Sequence, residues 1–337
     1  MGAHMEERKS IRIIRIILLI VLPILIAIIA LGIGRISISP RDIFLIITGR
    51  GALVDNMARM TVISFRLPRI ILALFVGAGL SVAGCAFQGL FANPLATPDT
   101  LGVASGASFG AAVAILLGFN AIPVQVSSFV FGMLAVVLTV LCGRGKGKGM
   151  TMIILSGIMI GSLFSALISF VKYVADAESQ LPAITYWLMG SLASTDYKSL
   201  IVGVPPILVG IVILFILRWR MNLLPLTEDE IKSSGTNVLA LRALTVISAT
   251  MITAASVSMC GQVGWIGLLV PHMVRMRVGG NFKNVVPTSI SIGAVFLVVV
   301  DTVARSLTAS EIPISILTAL IGAPFFIYLM RRGGSMR

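Results

Sequence analysis

The sequence predicts an all-α membrane protein with about ten transmembrane helices and both termini on the cytoplasmic side. Three observations carry this reading. Of 337 residues, 57% are hydrophobic and only 12% charged, whereas a soluble domain carries ~25% charged residues. Mean hydropathy is +1.05. Uncharged runs recur along the chain at lengths that suit a spanning helix, which needs ~20 mostly apolar residues. A soluble globular fold, a disordered chain and a nucleic-acid-binding domain are thereby excluded. So few charges cannot solvate a surface, and no sphere of this size offers enough core for the apolar residues. The net charge of +13 then reflects the bias of basic residues toward cytoplasmic loops.

The elements follow in order. Met1–Met5 reads as a tag remnant, leaving 6–337 as one domain. Ile16–Gly34, 19 uncharged residues, forms the first span. The second is expected at 70–90, stopped by Asn93-Pro94 and Thr97-Pro98-Asp99. Thr100–Gly143 is uncharged for 44 residues and is divided at Asn120–Pro123 into spans 100–118 and 123–142. Spans at 150–172 and 199–218 come next. Ala243–Val274 is divided near Cys260-Gly261 into 239–259 and 262–276. Spans 284–302 and 312–330 complete ten.

With the N-terminus inside, 17 of the 26 Lys and Arg residues fall in cytoplasmic segments, while acidic residues split six inside and seven outside. That asymmetry sets the orientation. One outer segment departs from it: Arg35, Arg41, Arg50, Arg59, Arg66 and Arg69, with no lysine among them. Two readings fit: anchoring to lipid phosphates, or docking of an acidic partner through bidentate guanidinium–carboxylate pairs.

Gly102, Gly106 and Gly110 recur every four residues, and Gly157 and Gly161 repeat the spacing, as close helix packing in lipid requires. Cys85, Cys142 and Cys260 lie in apolar runs without a C-x-x-C pair and read as small core residues. No catalytic constellation is present. His272 is the one histidine outside the first five residues, so a metal site or triad lacks partners. Gly143–Gly149 is glycine- and lysine-rich but lacks the P-loop spacing. Asp301 and Glu311 fall at span ends, and no row of carboxylates sits at mid-membrane depth as an ion-coupled carrier would need. Any transport would therefore draw its energy from another chain. Between spans six and seven, Thr227 and Glu230 fit the S/T-x-x-E capping box. Acids sit at the start of this short helix, and Gly235 stops it.

Taken together, several motifs resemble the FecCD-like permeases of ABC importers for ferric siderophores, haem and cobalamin. They are Arg66-Leu67-Pro68-Arg69; Gly77-Ala78-x-Leu80-x-x-x-Gly84-x-x-x-Gln88, continuing to Asn93-Pro94-Leu95-Ala96-x-Pro98 and Leu101-Gly102-x-x-x-Gly106-Ala107; Gly261-x-x-Gly264-Trp265-Ile266-Gly267-Leu268-x-x-Pro271-His272-x-x-Arg275; Asp301-Thr302-x-Ala304-Arg305; and Glu311-Ile312-Pro313 through Gly322-Ala323-Pro324-x-Phe326. The likeness runs from the first span to Arg332.

The resemblance implies a homodimeric permease with its pathway at the dimer interface. Two ATPase subunits would bind inside, a substrate-binding protein outside, and lipid around it. The chain would bind no cofactor, since ATP and magnesium belong to the ATPase, and it would be no enzyme. An iron complex is the expected cargo; a corrinoid is the alternative, and an ion-coupled carrier the rival mechanism. The resemblance further implies that Arg66, Arg69 and Arg305 meet acids of the binding protein. It aligns 224–236 with the family's coupling segment, so Leu226, Thr227, Glu228, Asp229, Glu230, Ile231, Lys232 and Gly235 would touch the ATPase. Thr227 and Ser234 depart from the usual L-G-E and L-G residues there. Gly149, Met150 and Thr151 fall where the family places a cytoplasmic gate. Gln88, Asn93, Pro94, Gly102, Gly106, Pro271, His272 and Arg275 belong to its structural pattern. Trp187 and Gly190-Ser191 resemble an outer segment, a short helix or turn rather than an eleventh crossing.

Overall fold

The computed structural model describes residues 17, 19–143, 150–308 and 310–333. Among these the regular structure is helical: α1 (Leu19–Gly32), α2 (Pro40–Ile47), α3 (Asn56–Leu90), α4 (Val103–Leu116), α5 (Ala121–Gly143), α6 (Met150–Val174), α7 (Gln180–Met189), α8 (Tyr197–Leu217), α9 (Glu228–Ser233), α10 (Val238–Cys260), α11 (Ile266–Val278), α12 (Phe282–Leu307) and α13 (Ile314–Gly333). Each expected span falls on a helix. Six are long and apolar enough to cross a bilayer: α3, α5, α6, α8, α10 and α12. Helix α4, with 14 residues, rises only ~21 Å and cannot cross ~30 Å of hydrocarbon unaided. The turn Pro98–Leu101 before it extends the segment.

The second span begins at Asn56, not at 70. Asp55 caps it, accepting from the amides of Met57 at 3.0 Å and Ala58 at 3.3 Å. The helix then widens over Thr61–Arg66, where the Leu67 amide reaches back five residues to the Val62 carbonyl. Pro68 explains the widening. It has no N–H, and its ring would strike a carbonyl one turn back. In that pattern the Ile63 carbonyl would need residue 68 as donor. The Tyr197 hydroxyl serves instead, donating at 2.6 Å.

Helix α3 is the axis of the bundle and packs against α8, α10, α11 and α12. Its glycines allow this. A Cβ on Gly84 would run into the Gly267 backbone of α11, and one on Gly77 into the Gly293 carbonyl of α12. Backbones that approach so closely gain van der Waals contact, the attraction left to helices in lipid. The sequence-predicted ridges pack likewise: Gly106 and Gly110 abut α5 at Phe131 and Ser127, and Gly157 abuts the Thr100 carbonyl. Helix α6 lies at the edge, with Leu155, Ile158, Met159, Leu163 and Phe170 exposed. Cys85 and Cys260 are buried as expected; Cys142 is exposed near the end of α5, which corrects its assignment to the core. Gly190 and Ser191 follow the short helix α7, and the Ser191 amide bonds the Cys260 carbonyl at 2.9 Å.

Candidate functional site: two polar ends of an apolar bundle

At one end α1 stops, the widened turn of α3 closes, α12 stops and α13 starts, and their polar groups meet in a buried knot. Arg69 on α3 donates through Nε to both oxygens of Asp301 on α12, at 2.7 and 3.0 Å. Its Nη1 donates to both oxygens of Glu311, at 2.8 and 2.7 Å. Arg305, one turn beyond Asp301 on α12, lies 3.7 Å from the same carboxylate. Its other arm donates to the Ala30 carbonyl. Arg66 donates at 2.5 Å to the carbonyls of Leu31 and Ile36. Ala30 and Leu31 lie in the last turn of α1, where helix carbonyls lack amide partners and the dipole is negative. Two guanidiniums thus cap α1 while the third clamps α3 to α12 and to the α12–α13 connection.

Arg66, Arg69 and Arg305, the residues expected to meet an acidic partner, are 6%, 7% and 7% exposed within this chain and bond to its own carboxylates and carbonyls, while Arg305 Nε has no hydrogen-bond partner among the described residues. A charge in an apolar bundle is tolerable only with partners at hand, and these arginines find them within their own fold. Asp301 is fully enclosed, while Glu311 keeps 27% of its side chain open.

A second polar link lies toward the other end of α3. Arg275 on α11 donates to the Gln88 side-chain oxygen, its guanidinium stands 5.4 Å from the Phe282 ring, and the Gln88 amide points at the carbonyls of Gly267 and Leu268 at 3.4 and 3.5 Å. Asn93 uses its side chain in a local turn, accepting from the Leu95 amide at 2.9 Å; Pro94 beside it is exposed. Pro271 is buried in α11. His272 lies edge-on to Phe326 of α13 at 5.7 Å, a packing contact rather than a ligand geometry. Gly102 takes a left-handed backbone, φ 75°, that turns the chain into α4. A cavity of about 190 Å³ opens between Asp99, Gln262, Trp265 and Ser315, with Leu80 of α3 in its wall. Among the described residues no three His, Cys, Asp or Glu side chains converge as a metal site.

At the α9 end the charges stand outward. The Thr227 amide and hydroxyl both donate to Glu230 at 2.8 Å, forming the start that the capping box specifies. These bonds hold the Glu230 carboxyl below its usual range. Asp229 is fully exposed and Lys232 largely so; Leu226 is exposed as well. Ile231 is completely buried, and α9 packs against α10. Gly235, φ 71°, ends the segment in the left-handed conformation that favours glycine. Glu228 opens the helix. Thr151 is exposed at the start of α6, Met150 is its first residue, and Gly149 lies outside the described residues.

Comparison with known proteins assigns this architecture. The FecCD transport family matches residues 19–332. The molybdate import system permease protein MolB of Haemophilus influenzae is 42% identical over 314 residues, 91% of this chain and 93% of that protein. The Fe(3+)-citrate import system permease protein YfmE of Bacillus subtilis is 35% identical over 312 residues, 91% of each. A solved metal-chelate type ABC transporter in an inward-facing conformation superposes with a TM-score of 0.86 at 41% identity, covering 94% of this chain and 98% of that one. With the helical bundle and its glycine-mediated crossings in place, the chain belongs to the FecCD transport family, as a non-catalytic, multi-pass membrane permease subunit of an ABC importer.

Proposed function

We propose that this permease, paired with a second copy of itself, carries a metal-containing solute inward, driven by ATPase subunits pressing on α9 and fed by a binding protein at the knot end. The observation that carries the coupling reading is α9 itself. It is a short, capped helix with Asp229, Glu230 and Lys232 in solvent and Ile231 buried, packed against α10, a shape suited to receive a push and pass it on. The basic-residue bias puts this end in the cytoplasm, with the exposed Thr151 on the same side as a candidate gate. For the binding protein to engage Arg66, Arg69 or Arg305, its carboxylates must take the places that Asp301 and Glu311 hold.

An iron complex, a ferric siderophore or haem, remains the reading for the cargo, with a corrinoid beside it. The 42% identity to a molybdate permease favours a second reading, molybdate itself. Vesicles carrying the permease, its ATPase and its binding protein separate these directly. ATP-dependent uptake of labelled molybdate with no uptake of ferric chelates assigns the oxyanion, and the converse assigns iron. Failure of either cargo to enter in the full assembly would refute both.

A further inference from the structure

The lipid-facing side of α8 ends in a cluster that the transport reading does not use. Ile201, Leu208, Val212 and Ile216 are exposed at helical spacing, and Trp219 continues the stripe with 53% of its surface open. A tryptophan at the end of an apolar stripe marks the membrane–water boundary. Three basic residues surround it. Lys283 Nζ lies 3.9 Å from the centre of the Trp219 ring. Arg218 stacks on Phe215 at 3.9 Å and donates to its carbonyl. Arg220 is exposed. None of the three pairs with a carboxylate among the described residues.

The cluster is held in place. Asn222 donates to the Trp219 carbonyl at 3.0 Å and to Asn281 at 3.2 Å, and accepts from the Phe282 amide at 3.0 Å. This fixes the end of α8 against the start of α12. Lys283 sits in the first turn of α12, which contains no acidic residue, so a cation occupies the end of a helix where the dipole is already positive.

We propose that Arg218, Trp219, Arg220 and Lys283 form a binding site for the headgroup of an anionic phospholipid in the leaflet at the α9 end. The apolar stripe accommodates the acyl chains, Trp219 sits at the ester level, and the unpaired cations meet the phosphate. The site would tether the segment leading into α9 to the membrane surface, giving the coupling helix a fixed base.

The test uses the full chain purified in detergent and titrated with phosphatidylglycerol or phosphatidylcholine, with bound lipid read by native mass spectrometry. Phosphatidylglycerol should be retained preferentially. Lys283→Gln and Arg220→Gln should each weaken it roughly fivefold, the scale for one basic residue near an anionic surface, and Lys283→Arg should restore it. In nanodiscs, phosphatidylglycerol brominated on its acyl chains should quench a fluorescence component that Trp219→Phe removes. Equal retention of the two lipids, or unchanged affinity in both glutamine variants, would overturn the proposal. Displacement of the lipid by millimolar inorganic phosphate would assign a free-phosphate site instead. Loss of the ATPase from the assembly in the glutamine variants, with their lipid retention unchanged, would assign a protein contact. Either of those results rejects the lipid assignment while leaving the transport function standing.

Discussion

The two ends of the bundle handle charge in opposite ways. At the Asp301 end, Arg66, Arg69 and Arg305 are buried against two carboxylates and three backbone carbonyls, Arg66 reaching 35 and 30 residues back to Leu31 and Ile36 and Arg69 reaching 232 residues on to Asp301. At the α9 end, the side chains of Thr227 and Glu230, and of Asp229 and Lys232, pair three residues apart and stand in solvent. A buried pair cannot be opened without stranding a charge, so the first arrangement locks helices. An exposed pair gains little and costs little to break, so the second leaves a surface that another protein can grip and move. One end holds the bundle together; the other is available for work.

This contrast breaks most easily at Asp301. Asp301→Ala leaves Arg305 without a carboxylate and Arg69 with Glu311 alone, and should destabilise the chain by about 3–5 kcal/mol, seen as a fall in thermal unfolding temperature in detergent. Adding Arg305→Met should recover part of the loss, because the charge left without a carboxylate is removed. An Asp301→Ala protein that melts with the wild type would mean the knot does not lock the helices.

A smaller effect is expected at the other end. Thr227→Ala removes the cap of α9 and should cost that helix about 1 kcal/mol. Hydrogen exchange should quicken over 228–233 while the spans stay protected, and more ATP should be hydrolysed per solute moved. A protein whose spans loosen together with α9 would erase the distinction between locked and movable ends.

The smallest effect concerns pH. The Glu230 carboxyl titrates below its usual range because Thr227 donates to its charged form. Its contribution to α9 is therefore complete above the ordinary carboxylate pKa and is lost as pH falls through the lowered value. Exchange in α9 should quicken on acidification in the wild type, and this response should vanish in Glu230→Gln. An acid response that persists in that variant would place the titrating group elsewhere.

Local chemistry was readable from the chain alone. The capping box needs only residues 227 and 230, and the breaks at Asn120–Pro123 and Cys260-Gly261 are local backbone features, so spans and α9 follow from short windows. The start of α3 was not readable, because Arg59, Arg66 and Arg69 interrupt the apolar run and mimic a loop. Only the fold shows that Asp55 begins the helix and that Tyr197 repairs its widened turn. The fate of the arginines was hidden for the same reason, since their partners sit on α1 and α12. One signal pointed there: Asp301 follows a long uncharged run, and an acid at such a site needs a cation.

The central claim is that the chain supplies the path and a separate ATPase supplies the energy. Vesicles containing the permease alone, and others containing it with its ATPase and binding protein, decide the matter under an imposed proton or sodium gradient with and without ATP. The account predicts accumulation of solute only in the full assembly and only with ATP. Uphill accumulation by the permease alone, collapsing with the ion gradient, would contradict it.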